Sequence, residues 1–322
     1  MLYAIASALL PILFVVFLGW LAARTKIIPS SAAGTLAAFV VNFALPLSLF
    51  LAAADAKTSD LADWRYVLAL IIGIAGAFVV GLVLSKLVFK HDLRAAAIQA
   101  QSCSFPNMAY CGPPVLGAVI GPAGILAVLI GNLVTSLNTL PTTLVLLRAG
   151  EGGSGDGAGR NSPRPGLATL VGTSLLGAAK APLVWLPVAG IVLALFGVKL
   201  PQLVTSMTNE IGSASGSVAL FTLGLMLESL VVKLDREVVI NVTVKNLLQP
   251  ALLLGAAFVL GLHGPLGKEV FLIGVLPSGT IVPSLAHNNK TYETQASLTA
   301  MASTLFSIIT ITVGIVIAKA LP

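Results

Sequence analysis

Charge is scarce in this 322-residue chain: Asp, Glu, Lys and Arg together make up 9% of it, against about 25% in ordinary soluble domains. The acidic residues are scarcest where chemistry would need them. All twelve Asp and Glu fall in loops or at the ends of apolar runs. Proton pumps and cation exchangers keep a carboxylate at membrane depth, so those classes are disfavoured, and no aspartate pair exists for an intramembrane protease. Two cysteines, Cys103 and Cys111, make neither a disulfide framework nor a metal set, and three histidines are too scattered to add one. There is no Gly-x-Ser-x-Gly elbow, no Gly-Lys-Ser/Thr phosphate loop and no metal-spaced histidine pair. Enzyme activity, a cofactor and a metal are therefore not expected.

Apolar residues fill the space that charge leaves. The chain is 57% hydrophobic, with a mean hydropathy of +1.00. A helix needs about 20 apolar residues to cross the hydrocarbon, and ten stretches qualify: 3–23, 31–53, 64–88, 93–119, 123–147, 181–198, 201–227, 238–262, 267–289 and 294–318. The first has no basic residues before it, while Arg24 and Lys26 follow it, which predicts a span with its N-terminus outside rather than a cleaved leader. Twelve of the eighteen basic residues then fall in the odd-numbered loops and five in the even ones and the C-terminus, with Lys245 inside a span. That bias predicts cytoplasmic odd loops and both termini outside, in a multi-pass protein of the cytoplasmic (inner) membrane. The net charge of +6 is spread over short loops, so it does not point to nucleic acid.

Glu151 to Gly166 (EGGSGDGAGRNSPRPG) reads as a flexible cytoplasmic linker. It predicts a first repeat at 1–148, a linker at 149–166 and a second repeat at 167–322. Five spans lie on each side; five is odd, so the second half enters the membrane from the opposite face. The stretch from Leu167 to Leu200 is too long for one span, and its start reads as an interfacial helix ending before Pro182.

The fourth span of each half is interrupted: Phe105-Pro106-Asn107-Met108-Ala109-Tyr110-Cys111-Gly112-Pro113-Pro114 in one, Pro277-Ser278-Gly279-Thr280-Ile281-Val282-Pro283 in the other. Lipid cannot satisfy the backbone groups such breaks release, so protein or a wet cavity must cover them. Paired breaks in two halves point to a binding site flanked by helix ends of both polarities. Pro106, Pro113, Pro114, Pro277 and Pro283 are the expected helix breakers. Ser104, Pro106, Asn107, Ser278 and Thr280 are the expected substrate contacts, with Asn42 of the second span approaching from the side. Ser213, Ser215 and Ser217 occupy the matching place in the seventh. For Lys245 two readings stand: a counter-ion to the substrate or a gate partner, or a side chain that snorkels to the cytoplasmic interface.

The two breaks, the opening ILFVVFLGWLAARTKIIP, the NFALPLSLF span and LFTLGLML together resemble the auxin efflux carrier family, over about residues 8–318. The nearest branch is that of bacterial malonate or dicarboxylate permeases. The resemblance implies an all-α protein of ten transmembrane helices in two inverted five-helix repeats, the fourth and ninth crossing. It implies a scaffold of spans 1, 2, 6 and 7 that forms a homodimer, and a domain of spans 3–5 and 8–10 that moves against it. It also implies that Asn107 helps hold a carboxylate. The expected function is secondary transport of a small organic anion, malonate or a related carboxylate, by an elevator-type mechanism, with proton or sodium as candidate coupling ions. A sodium-coupled symporter of the bile-acid type, with Gln99 and Gln101 as oxygen ligands, and a non-transporting sensor are the alternatives.

Overall fold

Asp63, Asp92 and Asp235 begin three helices in the same way, each accepting a hydrogen bond from a first-turn N–H group (Arg65, Ala95 and Val238) at 2.7–2.9 Å. A side-chain oxygen there satisfies one of the donors that a helix start leaves open. The computed structural model describes residues 2–56, 63–150, 181–228 and 234–321. The linker from Glu151 onward and the stretch before Ala181 lie outside the described residues.

Fourteen helical segments follow in order: α1 (Leu2–Arg24), α2 (Ala32–Ala54), α3 (Trp64–Leu87), α4 (Leu93–Ser104), α5 (Gly112–Ile120), α6 (Pro122–Leu137), α7 (Thr139–Gly150), α8 (Pro182–Leu195), α9 (Gln202–Gly212), α10 (Ala214–Glu228), α11 (Arg236–Val259), α12 (Gly264–Val275), α13 (Ile281–Asn288) and α14 (Glu293–Ala320). Among the described residues there is no strand, and six continuous helical stretches are long and apolar enough to cross a membrane. The expected fourth and ninth spans are not among the six because each is two half-helices. The expected sixth, α8, has only 14 helical residues, about 21 Å at 1.5 Å per residue. Apolar side chains such as Phe258, Val259 and Ile309 stand exposed on the outer surface, as lipid contact permits.

Two helices carry a π-turn just before a proline: Val40–Ala44 ahead of Pro46 in α2, and Val244–Leu248 ahead of Pro250 in α11. Proline supplies no N–H and its ring crowds the preceding turn, and a wider turn accommodates both.

The helices pack in two groups. In the first, α1 lies on α10, and α2 is packed by α8, α9 and α10. Gly19 and Gly224 face each other there so closely that a side chain on either would collide with the opposite backbone. Small residues permit such approach where lipid gives helices no hydrophobic reason to associate. In the second group α3 packs on α4 and α11, α4 on α7, and α11, α12 and α13 on α14. Within it α4 is buried from Ala96 to Ser104 although it carries Gln99, Gln101, Ser102 and Ser104. Polar residues buried to that extent need partners inside the protein.

Contacts gather at the two ends of the bundle. His91 meets Glu237 and Arg94 meets Asn289, joining the start of α4 to the start of α11 and the end of α13, while Ser30 and Arg24 meet Glu228. At the other end Tyr66 lies beside Glu269. Glu269 and Glu210, both expected at span ends, lie within helices, Glu269 buried in α12 and Glu210 exposed on α9.

Candidate functional site: the paired helix breaks

The first interruption runs from Phe105 to Cys111 and the second from Leu276 to Thr280. The two pair with each other in a short antiparallel bridge between Pro106 and Ser278. Asn107 N–H donates to Pro277 O, and Gly279 N–H donates to Phe105 O, each at 2.8 Å. Each break thus satisfies backbone groups the other has freed, which answers the cost of irregular backbone at membrane depth. Gly279 has to be glycine for this approach, since a Cβ there would stand 2.6 Å from the Phe105 ring.

Helix α11 closes the two C-terminal ends. Lys245 Nζ donates to Gly274 O and Leu276 O at the end of α12, and Gln249 Nε2 donates to Ser104 O, the last carbonyl of α4. Between them Asn246 holds Ser303, donating to its carbonyl at 3.0 Å and accepting from its hydroxyl at 2.6 Å. The Ser303 hydroxyl in turn accepts from the Ser278 N–H at 2.8 Å. A cation and an amide therefore sit on the negative ends of the two half-helix dipoles. The N-terminal ends of α5 and α13 carry no side-chain cap.

This placement corrects the snorkelling reading of Lys245. The side chain is wholly buried and points along the protein interior to α12, because carbonyls at a helix end offer it a nearer partner than the interface does. The proline expectations divide as well. Pro106 and Pro277 lie inside the interruptions, whereas Pro113, Pro114 and Pro283 stand in the first turn of the half-helix that follows. There a missing N–H costs nothing, so these three start helices rather than break them.

Of the expected substrate contacts, two hydroxyls are already engaged: Ser104 Oγ donates to Ala100 O and Ser278 Oγ to Ser102 O. The Thr280 hydroxyl lies near the Tyr110 phenol. Asn42 is exposed and its amide donates to Ala38 O; its π-turn packs on α8, α9 and α10 rather than on the broken helices. Gly216, between Ser215 and Ser217, lies against Pro114. Asn107 is different. It is 2% exposed, its Oδ1 accepts from Tyr110 N–H at 3.3 Å, and its Nδ2 donor has no partner. A small apolar cavity of about 40 Å³ lies between α1 and α10 on one side and α5 and α14 on the other, lined by Val16, Val115, Leu220, Thr304 and Ser307 among others; of the first interruption only its last residue, Cys111, reaches it.

The chain carrying these breaks has relatives among known sequences. Residues 4–315 match the family described as membrane transport protein. The chain belongs to this auxin efflux carrier-like family of membrane transporters. The transporter YfdV of Escherichia coli K12 is 30% identical over 283 residues, 86% of each chain. A protein of Rhizobium meliloti whose name proposes malonate transport is 25% identical over 315 residues, 96% of this chain and 94% of its own. The mouse lysosomal cholesterol signaling protein is 25% identical over 295 residues, 87% of this chain and 33% of its own. Membership makes this a multi-pass membrane transporter and agrees with the absence of enzyme motifs from the sequence.

Gln249, Asn246 and Ser303 escaped sequence reading. Lys245 and Gln249 are four apart, which would put them on one face of a regular helix, but the π-turn Val244–Leu248 intervenes and no local pattern announces it. Nothing local in the sequence ties Ser303 to Asn246.

Proposed function

We propose that the protein is a secondary transporter of a small organic anion, malonate or a related carboxylate, bound at the paired breaks. The observation that carries this is the asymmetry of the helix ends. Side chains of α11 neutralise both negative ends, while both positive ends are left without a side-chain cap next to the unpartnered Asn107 amide. Such a site favours an anion and repels a cation. No carboxylate is among the residues that build it. The name of the Rhizobium relative supports malonate as the first ligand to try.

In this reading ten spans form two inverted repeats, and α3–α7 with α11–α14 move as a body against α1, α2 and α8–α10 in an elevator-type alternating-access cycle. The division of the packing into two groups supports it. The α1/α2/α8–α10 group would pair with a second copy. Within an apolar span, α9 exposes Ser206, Asn209 and Glu210, and lipid gives such groups no partners.

The decisive experiment is uptake of labelled malonate and a panel of organic acids into proteoliposomes, with a thermal-shift screen of the same acids on purified protein. Absence of both flux and binding for every carboxylate would end this reading. A sodium-coupled symporter is the second reading, resting on two buried acceptors without partners, Gln99 Oε1 and Gln249 Oε1; flux that ignores the sodium gradient removes it. The sensor reading ends with any measured flux.

A further inference from the structure

Where α4 begins, three connections far apart in sequence bring a histidine, a glutamate and a tyrosine onto one atom. His91 Nε2 lies 2.8 Å from Glu237 Oε1, and the Tyr292 hydroxyl donates to the same oxygen. His91 comes from the α3–α4 connection, Glu237 from the first turn of α11 and Tyr292 from the α13–α14 connection. The His91 and Glu237 side chains are 29% and 12% exposed, recessed yet within reach of water. The Tyr292 backbone is left-handed, φ 56° and ψ 25°. A bulky residue holds that conformation only when its surroundings over-determine it.

Behind this trio the hydrogen bonds run in one direction. Gln99 Nε2 donates to Asn241 Oδ1 at 2.8 Å, and the Cys103 thiol reaches the same oxygen at 3.5 Å. Asn241 Nδ2 donates to the Tyr292 oxygen at 3.0 Å and to Thr299 Oγ1 at 3.1 Å. Tyr292 then donates to Glu237, which His91 meets from the other side. Such a chain is satisfied only if a carboxylate ends it, because a carboxylate accepts and donates nothing. It follows that His91 Nε2 carries its hydrogen toward Glu237 and that Nδ1 is left as a base. Burial first, and then the bond to Glu237, push the Tyr292 phenol well above its ordinary range, so it remains a donor.

The other charged groups at this end are engaged elsewhere or stand apart. Lys86 Nζ donates to the His91 carbonyl, Asp92 and Asp235 cap α4 and α11, and Arg94 donates to Asn289 O. His287 pairs with Glu293 at 2.7 Å. Lys90, Arg236 and Lys290 share this end; among the described residues Glu237 pairs with His91 and with none of these three.

We infer that His91, Glu237 and Tyr292 form a proton-binding site whose occupancy is coupled, through Asn241, to the paired breaks. Asn241 stands four residues before Lys245 on α11, and Cys103 two residues before Phe105 on α4, so the network and the site share both helices. An arriving proton settles on His91 Nδ1. It converts a neutral imidazole beside a carboxylate into an imidazolium–carboxylate pair and leaves every bond along the chain in place. The site loses its one net negative charge, which favours a second negative charge at the breaks. The coupling rests on the organic-anion reading above and makes the proton the coupling ion; the proton site itself does not rest on it.

The first test uses no substrate. Thermal unfolding of the full chain is followed between about pH 5.5 and 8.5, where histidine changes charge, for the wild type, His91→Gln, Glu237→Gln and the double variant. Each single change should flatten the pH profile, and the double variant no further than either, because one site is lost in all three. Profiles parallel to the wild type's, or losses that add, overturn the site. Should Glu237→Gln fail to fold, Tyr292→Phe deletes only a hydroxyl and should still shift the profile; an unchanged profile counts against the site. The second test is calorimetry of malonate binding in buffers of different ionisation enthalpy. Wild type should take up protons with malonate and Glu237→Gln should take up fewer, with malonate affinity rising about five-fold or more from pH 8 to pH 6 in the wild type alone. Equal proton uptake in both proteins overturns the coupling. If no carboxylate binds to any of the proteins, it is the anion reading that fails, and the proton site is decided by the unfolding profiles.

Discussion

Asn107 keeps one side of its amide on the Tyr110 N–H and leaves Nδ2 buried and without a partner. Asn107→Ala should weaken malonate binding by about 1–3 kcal/mol, the usual consequence of losing one buried polar partner. Asn107→Asp should weaken it further, because a negative side chain would itself occupy the positive helix ends. A binding titration checks both; affinities unchanged in the two variants would move the site away from the breaks. Lys245 makes a different prediction. As the cap of α12 its loss strips two buried carbonyls of their donor, so Lys245→Met should lower the unfolding temperature as well as transport. A variant as stable as the wild type would return Lys245 to the role of a free counter-ion. At this scale sequence reading is least reliable. It singled out Asn107 and the unusual depth of Lys245, but Ser104 and Ser278 look equally able to bind a ligand until their hydroxyls are seen to be engaged. His91, Glu237 and Tyr292 lie 55 to 146 residues apart along the chain as they pair, a distance no local pattern spans.

Elements were far more legible. Apolar length and loop charge foretold the helical stretches to within a few residues, because lipid tolerates so few alternatives. The interruptions at Pro106 and Pro277 stood out for the same reason. Illegible was the fact that α11 reaches both of them, since a π-turn changes which residues share a face and the turn cannot be read from VKNLL alone. Helix packing offers its own test. Gly224 meets the backbone of α1 at Val16 and Trp20, so Gly224→Ala should force α1 and α10 apart at a cost of about 1–3 kcal/mol. Reduced thermal stability is expected even though the variant touches neither break. Stability equal to the wild type's would show that α1 can slide on α10 without penalty.

For the whole molecule the predictions concern sidedness and assembly. Odd connections should face the cytoplasm, so Lys90→Cys should resist a membrane-impermeant thiol reagent in intact cells while Lys199→Cys is labelled. The reverse pattern would invert the molecule, and labelling of both would break the parity argument. If α9 lies against a second copy, Met207→Cys, at an exposed α9 position, should cross-link two chains in membranes. Leu87→Cys on α3, equally exposed, should not.

The union of the two breaks is made of main chain: the Asn107 and Gly279 N–H groups against the Pro277 and Phe105 carbonyls. Apart from glycine at 279, nothing in that union reads side-chain identity. The surrounding side chains are thus free to be exchanged one at a time while the crossing persists, so under the proposed anion site the frame of the carrier is separate from the choice of its cargo. Combinatorial replacement at 107, 110 and 280 therefore offers a direct route to altered selectivity in an otherwise unchanged frame.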